Sequence, residues 1–171
     1  MVALIDDVVC IKICGRANFT SSVDFKNLVT ELANRGYERF VLDLSECILM
    51  DSTFLGVLAG IGLKFCESEK PDGSKSVELL NPNDRLSDLL ENLGVAHLFK
   101  ITQAISPAAG KYESLPSDGT TETDRLEVTR TCLEAHQTLM QINPDNIKKF
   151  KDVAQFLAED LKRLEEKKTS G

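Results

Sequence analysis

Asp51 and Ser52 open the segment of this chain with the clearest chemical content. An apolar run at residues 40–44 reads as a buried strand, residues 45–50 as a six-residue loop, and a helix follows from Ser52 to about residue 67. A serine at the amino end of a helix lies beside unpaired backbone N–H groups and the positive end of the helix dipole. Two uses fit that position. One is a helix cap, worth roughly 1 kcal/mol. The other is acceptance of a phosphoryl group, an anion that helix N-termini accommodate. Asp51 reads as a second cap or a first-turn anion. Neither residue has a base or a second acid at a recognisable companion spacing, so a catalytic role is not expected of them.

The helix that carries Ser52 is unusually apolar. Phe54, Leu58, Ile61 and Phe65 form one stripe, and Leu55, Ala59, Gly62 and Cys66 form its neighbour. Only Gly56, Gly60 and Lys64 make a bare or polar wedge. Such a helix is expected to be buried on more than one side, against a sheet and against a C-terminal extension, a second copy or a partner. Ahead of it, residues 2–5 and 8–14 read as strands joined by an Asp6-Asp7 turn. In the second, Val9, Ile11 and Ile13 alternate with Val8, Cys10, Lys12 and Cys14, a half-buried pattern that Gly15 ends. Asn18, Thr20 and Ser22 read as turn and cap residues in the loop that follows. Ser21-Ser22 then precede a helix stopped by Gly36.

Beyond the central helix come a turn at 70–74, a strand at 77–80, a helix capped by Asn83 or Asp84 and closed by Gly94, and a short strand at 98–101. Strands alternating with helices argue an α/β layer, with helices against a mixed sheet. Residues 103–123 are rich in Ser, Pro, Gly and Thr and read as a linker. A helix at 124–141 follows. Asn143-Pro144-Asp145 is a start signal for a second one. That helix carries Ile147, Phe150, Ala154, Leu157, Leu161 and Leu164 at heptad spacing, which suits an antiparallel hairpin packed on the domain.

The segments Asp43-Leu44, Met50-Asp51-Ser52-Thr53 and Leu55-Gly56-Val57-Leu58 resemble the signature of the STAS family, the bacterial anti-sigma factor antagonists. The resemblance spans roughly residues 1–102. It takes in an early strand closed by Gly15, Leu79-Leu80-Asn81-Pro82, Leu93-Gly94 and Leu98-Phe99-Lys100-Ile101. Phe54 stands where the family has glycine. The resemblance implies an α/β fold, a STAS-like domain at 1–102 with helices packed on a mixed sheet; the linker at 103–123 and a two-helix extension at 124–168 follow it. It also implies that Ser52 accepts a phosphoryl group from a partner kinase, with Thr53 as fallback. Asp51, Ser52, Thr53, Phe54 and Leu55 would touch that partner, as would Asn18, Thr20 and Ser22. Phe54 either packs in the core or serves as an aromatic anchor that narrows access to Ser52.

The function so implied is a non-enzymatic interaction module. Its partner would be an anti-sigma factor with serine kinase activity, its off-switch phosphorylation of Ser52, and its reset a serine phosphatase. The C-terminal helices would add a second interface or a homodimer contact. The alternative is a constitutive scaffold or accessory subunit of a sensory or lipid-transport complex. The phosphoswitch requires the Ser52 hydroxyl to be reachable from solvent.

Composition narrows the classes further. With 171 residues and 42% hydrophobic content, the chain can build a core. Net charge is −7: residues 1–102 hold 10 Lys/Arg against 15 Asp/Glu, and the rest 10 against 12. No basic block stands out, so nucleic-acid and anionic-membrane binding are disfavoured. No secretory leader is evident and no apolar run approaches ~18 residues, so a cytoplasmic location without membrane insertion is expected. The five cysteines show no C-x-x-C pair and read as free thiols of a reducing compartment. His97 and His136 stand isolated, so no metal site is expected. No glycine-rich phosphate loop or other cofactor motif appears.

Overall fold

The computed structural model describes residues 1–66, 76–114 and 125–171. Five strands form one sheet in chain order: β1 (Val2–Ile5), β2 (Val8–Ala17), β3 (Arg39–Met50), β4 (Val77–Leu80) and β5 (Lys100–Thr102). β1 runs antiparallel to β2, and every later pair is parallel. The parallel steps are bridged by α1 (Phe19–Asn34), α2 (Ser52–Cys66) and α3 (Asp84–Asn92). Each crossover advances one strand in the same direction, and such connections share one hand, so the three helices fall on one face. That face holds the main core, in which Val9, Ile11, Leu42 and Leu79 meet Phe25, Leu55, Leu58 and Leu90.

This topology leaves the opposite face without a helix. It is nevertheless covered. Cys10, Val41 and Leu80 form a second cluster with Ala3, closed by Ala108 and partly by Tyr112. The half-buried alternation expected of β2 holds from Val8 to Cys14 except at Cys10, which is fully buried. The cover comes from residues read as linker. Ser106 and Tyr112 share a hydroxyl–hydroxyl bond of 2.6 Å, and Val2 and Glu113 exchange two backbone bonds of 2.9 Å. A sheet face of this apolarity needs a lid, and one alanine and one tyrosine suffice inside a segment of turn-like composition. Burial raises the Tyr112 phenol above its ordinary range. The expected turn at 70–74 and the linker residues 115–123 lie outside the described residues.

Two boundaries near Ser52 also differ from expectation. Residues 45–50 are strand rather than loop: β3 keeps pairing with β2 up to Met50↔Ala17, through two register shifts. Gly15 does not end β2. It sits at one of those irregularities with φ +69, a left-handed value that glycine adopts without strain. The result brings the starts of α1 and α2 side by side at the same end of the sheet.

The chain ends in α4 (Arg125–Ile142), a 3-10 turn (Pro144–Asn146) and α5 (Ile147–Thr169). These helices form an antiparallel hairpin that folds back on the domain. α4 lies against α2 and α1, and its Ala135 and Leu139 join the main core. The buried Asn146 fastens the turn, donating to the carbonyls of Leu93 at 2.9 Å and Leu139 at 2.8 Å. α5 packs on α4 through Phe150 and Ala154 and leaves Val153 and Phe156 exposed. No described helix is long and apolar enough to cross a membrane.

Candidate functional site

The end of the sheet where β2 and β3 stop is organised by two caps. Asn18 caps α1: its side-chain oxygen accepts from the N–H groups of Thr20 and Ser21, each at 3.1 Å, and Ser21 Oγ accepts from the Asn18 N–H. α1 thus starts at Phe19, ahead of the expected Ser21-Ser22 signal. Asp51 caps α2. Its Oδ1 accepts from the Phe54 N–H at 2.8 Å, three residues on, and its Oδ2 accepts from the Phe19 N–H at 2.7 Å. One carboxylate therefore closes the first turns of two helices. Ser52 lies one residue inside α2 and is not its cap, which leaves its hydroxyl free for another partner.

That partner is His136, 84 positions away on α4. Ser52 Oγ lies 3.0 Å from His136 Nε2. The other ring nitrogen, Nδ1, lies 2.7 Å from the Cys132 carbonyl, which can only accept. Nδ1 therefore donates to that carbonyl, and Nε2 is the ring nitrogen that shares a hydrogen bond with the serine hydroxyl. The imidazole is 5% exposed and sits with its centroid 5.0 Å from that of Phe150. The expectation of a solvent-reachable Ser52 meets a half-buried residue whose hydroxyl is engaged by the C-terminal helices. By sequence alone His136 stands isolated. A signal was present, because Cys132, Ala135, His136 and Leu139 recur at helical spacing on the buried face of α4.

Glycine explains how α4 comes so near. A Cβ on Gly56 would stand 2.5 Å from the Ala135 carbonyl oxygen and 2.7 Å from its Cβ. One turn further, a Cβ on Gly60 would meet only Thr138 at 3.9 Å. α4 thus closes on the bare wedge of α2 at Gly56, the glycine nearer Ser52, while Gly60 and Lys64 line an open cleft. The Thr53 hydroxyl points at Cys132 Sγ across 3.8 Å, and burial raises that thiol above its ordinary range. At the flank, Lys26 pairs with Glu134, and Asn27 donates to Glu127 at 3.1 Å.

The remaining expected contact residues divide into two groups. Asn18 and Thr20 are exposed beside the caps. Thr53, Phe54, Leu55 and Ser22 are buried and present no surface in this state. Phe54 is 2% exposed and stacks on Phe25 with centroids 4.8 Å apart. Its ring is turned into the core, as the first of the two expectations for it has it. Ser22 donates to the Phe19 carbonyl at 2.6 Å. Phe19, which sequence reasoning passed over, is 48% exposed between Asn18 and Thr20, with its N–H on Asp51.

A serine hydroxyl hydrogen-bonded to an imidazole is also the geometry of a nucleophile and its base. Here the group orienting the imidazole is a main-chain carbonyl rather than a carboxylate. The cleft between α1, α2 and α4 is lined by Lys26, Thr30, Gly60, Lys64 and Thr138, and neither Ser52 nor His136 lines it. Among the described residues no group of three His, Cys, Asp or Glu is placed to hold a metal ion.

Comparison with known proteins agrees with this architecture. The family model for the STAS domain matches residues 1–108. The crystal structure of TM1081, a proposed anti-sigma factor antagonist from Thermotoga maritima, is 28% identical. The match covers 64% of this chain and 90% of that one, with a TM-score of 0.55. The NMR structure of TM1081 gives 26% identity and a TM-score of 0.52, covering 64% of this chain and 85% of that one. The Bacillus anti-sigma factor antagonist SpoIIAA, in its unphosphorylated form, shares the fold at 16% identity and a TM-score of 0.50. That match covers 64% of this chain and 92% of SpoIIAA. Among curated proteins, none matches the chain. The hairpin α4–α5 lies beyond the residues that the family model matches.

Proposed function

Because the chain belongs to the STAS domain family, we propose that it is a non-enzymatic, cytoplasmic regulatory module of the anti-sigma factor antagonist type. In this reading it binds an anti-sigma factor with serine kinase activity, phosphorylation of Ser52 ends that binding, and a serine phosphatase restores it. The observation that carries the reading is the position of Ser52. Its hydroxyl stands at the amino end of α2, relieved of capping by Asp51, next to the exposed Asn18, Phe19 and Thr20. The domain assignment belongs to the same proposal, with residues 124–168 as an extension appended to the STAS-like unit that adds a second interface or a homodimer contact.

Magnitudes make a charge switch workable there. A phosphoserine adds about −1.5 to −2 charges. The amino end of α2 returns roughly 0.3–1 kcal/mol. Repulsion from Asp51 at an assumed ~6 Å in water costs on the order of 1 kcal/mol. The two nearly cancel, so the domain stays folded. Burying the dianion under a partner without a matching cation costs several kcal/mol, so the complex does not form.

Incubating the full chain with its serine kinase and ATP, followed by phosphopeptide mapping, tests the assignment. We expect stoichiometric label on Ser52 and none in Ser52→Ala. Full label elsewhere with Ser52 unmodified refutes it. The occupation of Ser52 by His136 favours a second reading, a constitutive scaffold or accessory subunit that is never phosphorylated. Co-purification with a transporter ATPase or self-assembly, with no phosphate at Ser52, would select that reading.

A further inference from the structure

We propose that α4 is an intramolecular plug: it occupies, within the closed chain, the α2 surface that holds Ser52, so that plug and phosphoryl group exclude one another. The inference rests on the reading of Ser52 as the switch residue and adds a layer of regulation to it. Three observations converge. Ser52 Oγ is spent on His136 Nε2 at 3.0 Å, a gap that holds one hydrogen. A phosphoryl group would bring three further oxygens into that gap, which cannot contain them. The α2–α4 seam is held open to close approach by Gly56 alone beside Ser52, with the Ala135 backbone where a Cβ would be. Finally, α4 lies beyond the residues the family model matches, as an appended element rather than a layer of the sheet.

The plug has a defined energetic character. Among its contacts to α1 and α2 are one part-buried hydroxyl–imidazole bond, a weak hydroxyl–thiol contact, an ion pair, an exposed amide–carboxylate bond and the apolar faces of Ala135 and Leu139. A segment held in this way opens locally at a lower cost than unfolding of the sheet. Apparent partner affinity and phosphorylation rate then both scale with the open fraction. Coupling runs both ways: closure slows modification of Ser52, and modification holds the plug open.

Amide hydrogen exchange on the full chain tests this without any kinase or partner. Four samples are compared: wild type, a chain with phosphoserine encoded at position 52, Gly56→Ala and Gly60→Ala. The Gly56→Ala Cβ strikes the Ala135 backbone, whereas the Gly60→Ala Cβ meets only an ordinary contact. In the phosphoserine and Gly56→Ala chains, α4 should exchange at least about tenfold faster while β2 and β3 keep their protection. The Gly60→Ala chain should match wild type. In the phosphoserine and Gly56→Ala chains maleimide should then reach Cys132, which lies on the inner face of α4 and is buried while the plug is closed. Unchanged or greater protection of α4 in the phosphoserine chain overturns the proposal, because the tail would then clamp the phosphate. Simultaneous loosening of α4 and the sheet also overturns it, because the hairpin would be integral to the fold. A failed kinase assay would remove the functional reading and leave this result standing.

Discussion

Phe54→Gly is expected to lose about 4–6 kcal/mol of stability, even though glycine is the residue that the family signature has at this position. The ring is 2% exposed, stacked on Phe25, and lies in the main core. Removing a buried phenyl ring costs roughly 3–5 kcal/mol through lost transfer energy and the cavity left behind. Glycine in a helix interior adds about 1 kcal/mol. For a chain of this length, that corresponds to a melting temperature lower by roughly 10–20 °C. Chemical and thermal denaturation of the full chain measure it directly. A loss below about 1 kcal/mol would mean that the ring is not packed as described.

Asp51→Ala is expected to cost about 3–5 kcal/mol, and Asp51→Asn roughly half as much. A typical cap substitution costs ~1 kcal/mol. Asp51 exceeds that because its two oxygens serve two helices, through Phe54 N–H and Phe19 N–H. Each is a charge-assisted bond to a backbone donor, worth roughly 1.5–3 kcal/mol. An asparagine keeps one acceptor but turns an N–H₂ group toward the second donor. Equal losses for Ala and Asn in denaturant melts would contradict the double cap. These variants also guard the functional assays, because a change at Asp51 disturbs the frame that positions Ser52.

The central α/β pattern was legible in the chain because its signals are local. Strand 77–80, the Asn83 cap, the glycines that close α1 and α3, and the start signal at Asn143 each depend on a few neighbouring residues. The errors cluster where the deciding contact is distant. Residues 45–50 look like a loop because their pairing with β2 runs through irregular register, which no alternation rule registers. The lid formed by Ala108 and Tyr112 sits in turn-like composition, and only the bare face of the sheet reveals why it is ordered. Gly56 looked like part of an outward wedge, because a glycine left for solvent and a glycine left for another helix are the same letter.

The candidate site divides along the same line. Ser52 and Asp51 are legible from their place before an apolar helix; of the two cap readings, that of Asp51 holds and that of Ser52 does not. Phe54, Leu55, Thr53 and Ser22 were drawn in as contact residues by their place in or near the motif. Helical periodicity puts these four inside instead. His136 could not be paired with Ser52 without knowing that the hairpin folds back, a tertiary fact decided by small residues on two helices and by the bonds of Asn146.

The most direct test of the account is the equilibrium affinity of the anti-sigma kinase partner for wild type, Ser52→Ala and Ser52→Asp, measured with the full chain at fixed ionic strength. The account predicts that Ser52→Ala binds at least as tightly as wild type, since it also loses the bond that closes the plug. It predicts that Ser52→Asp binds at least about tenfold more weakly, a difference of ~1.4 kcal/mol. Three equal affinities would contradict a charge switch at Ser52.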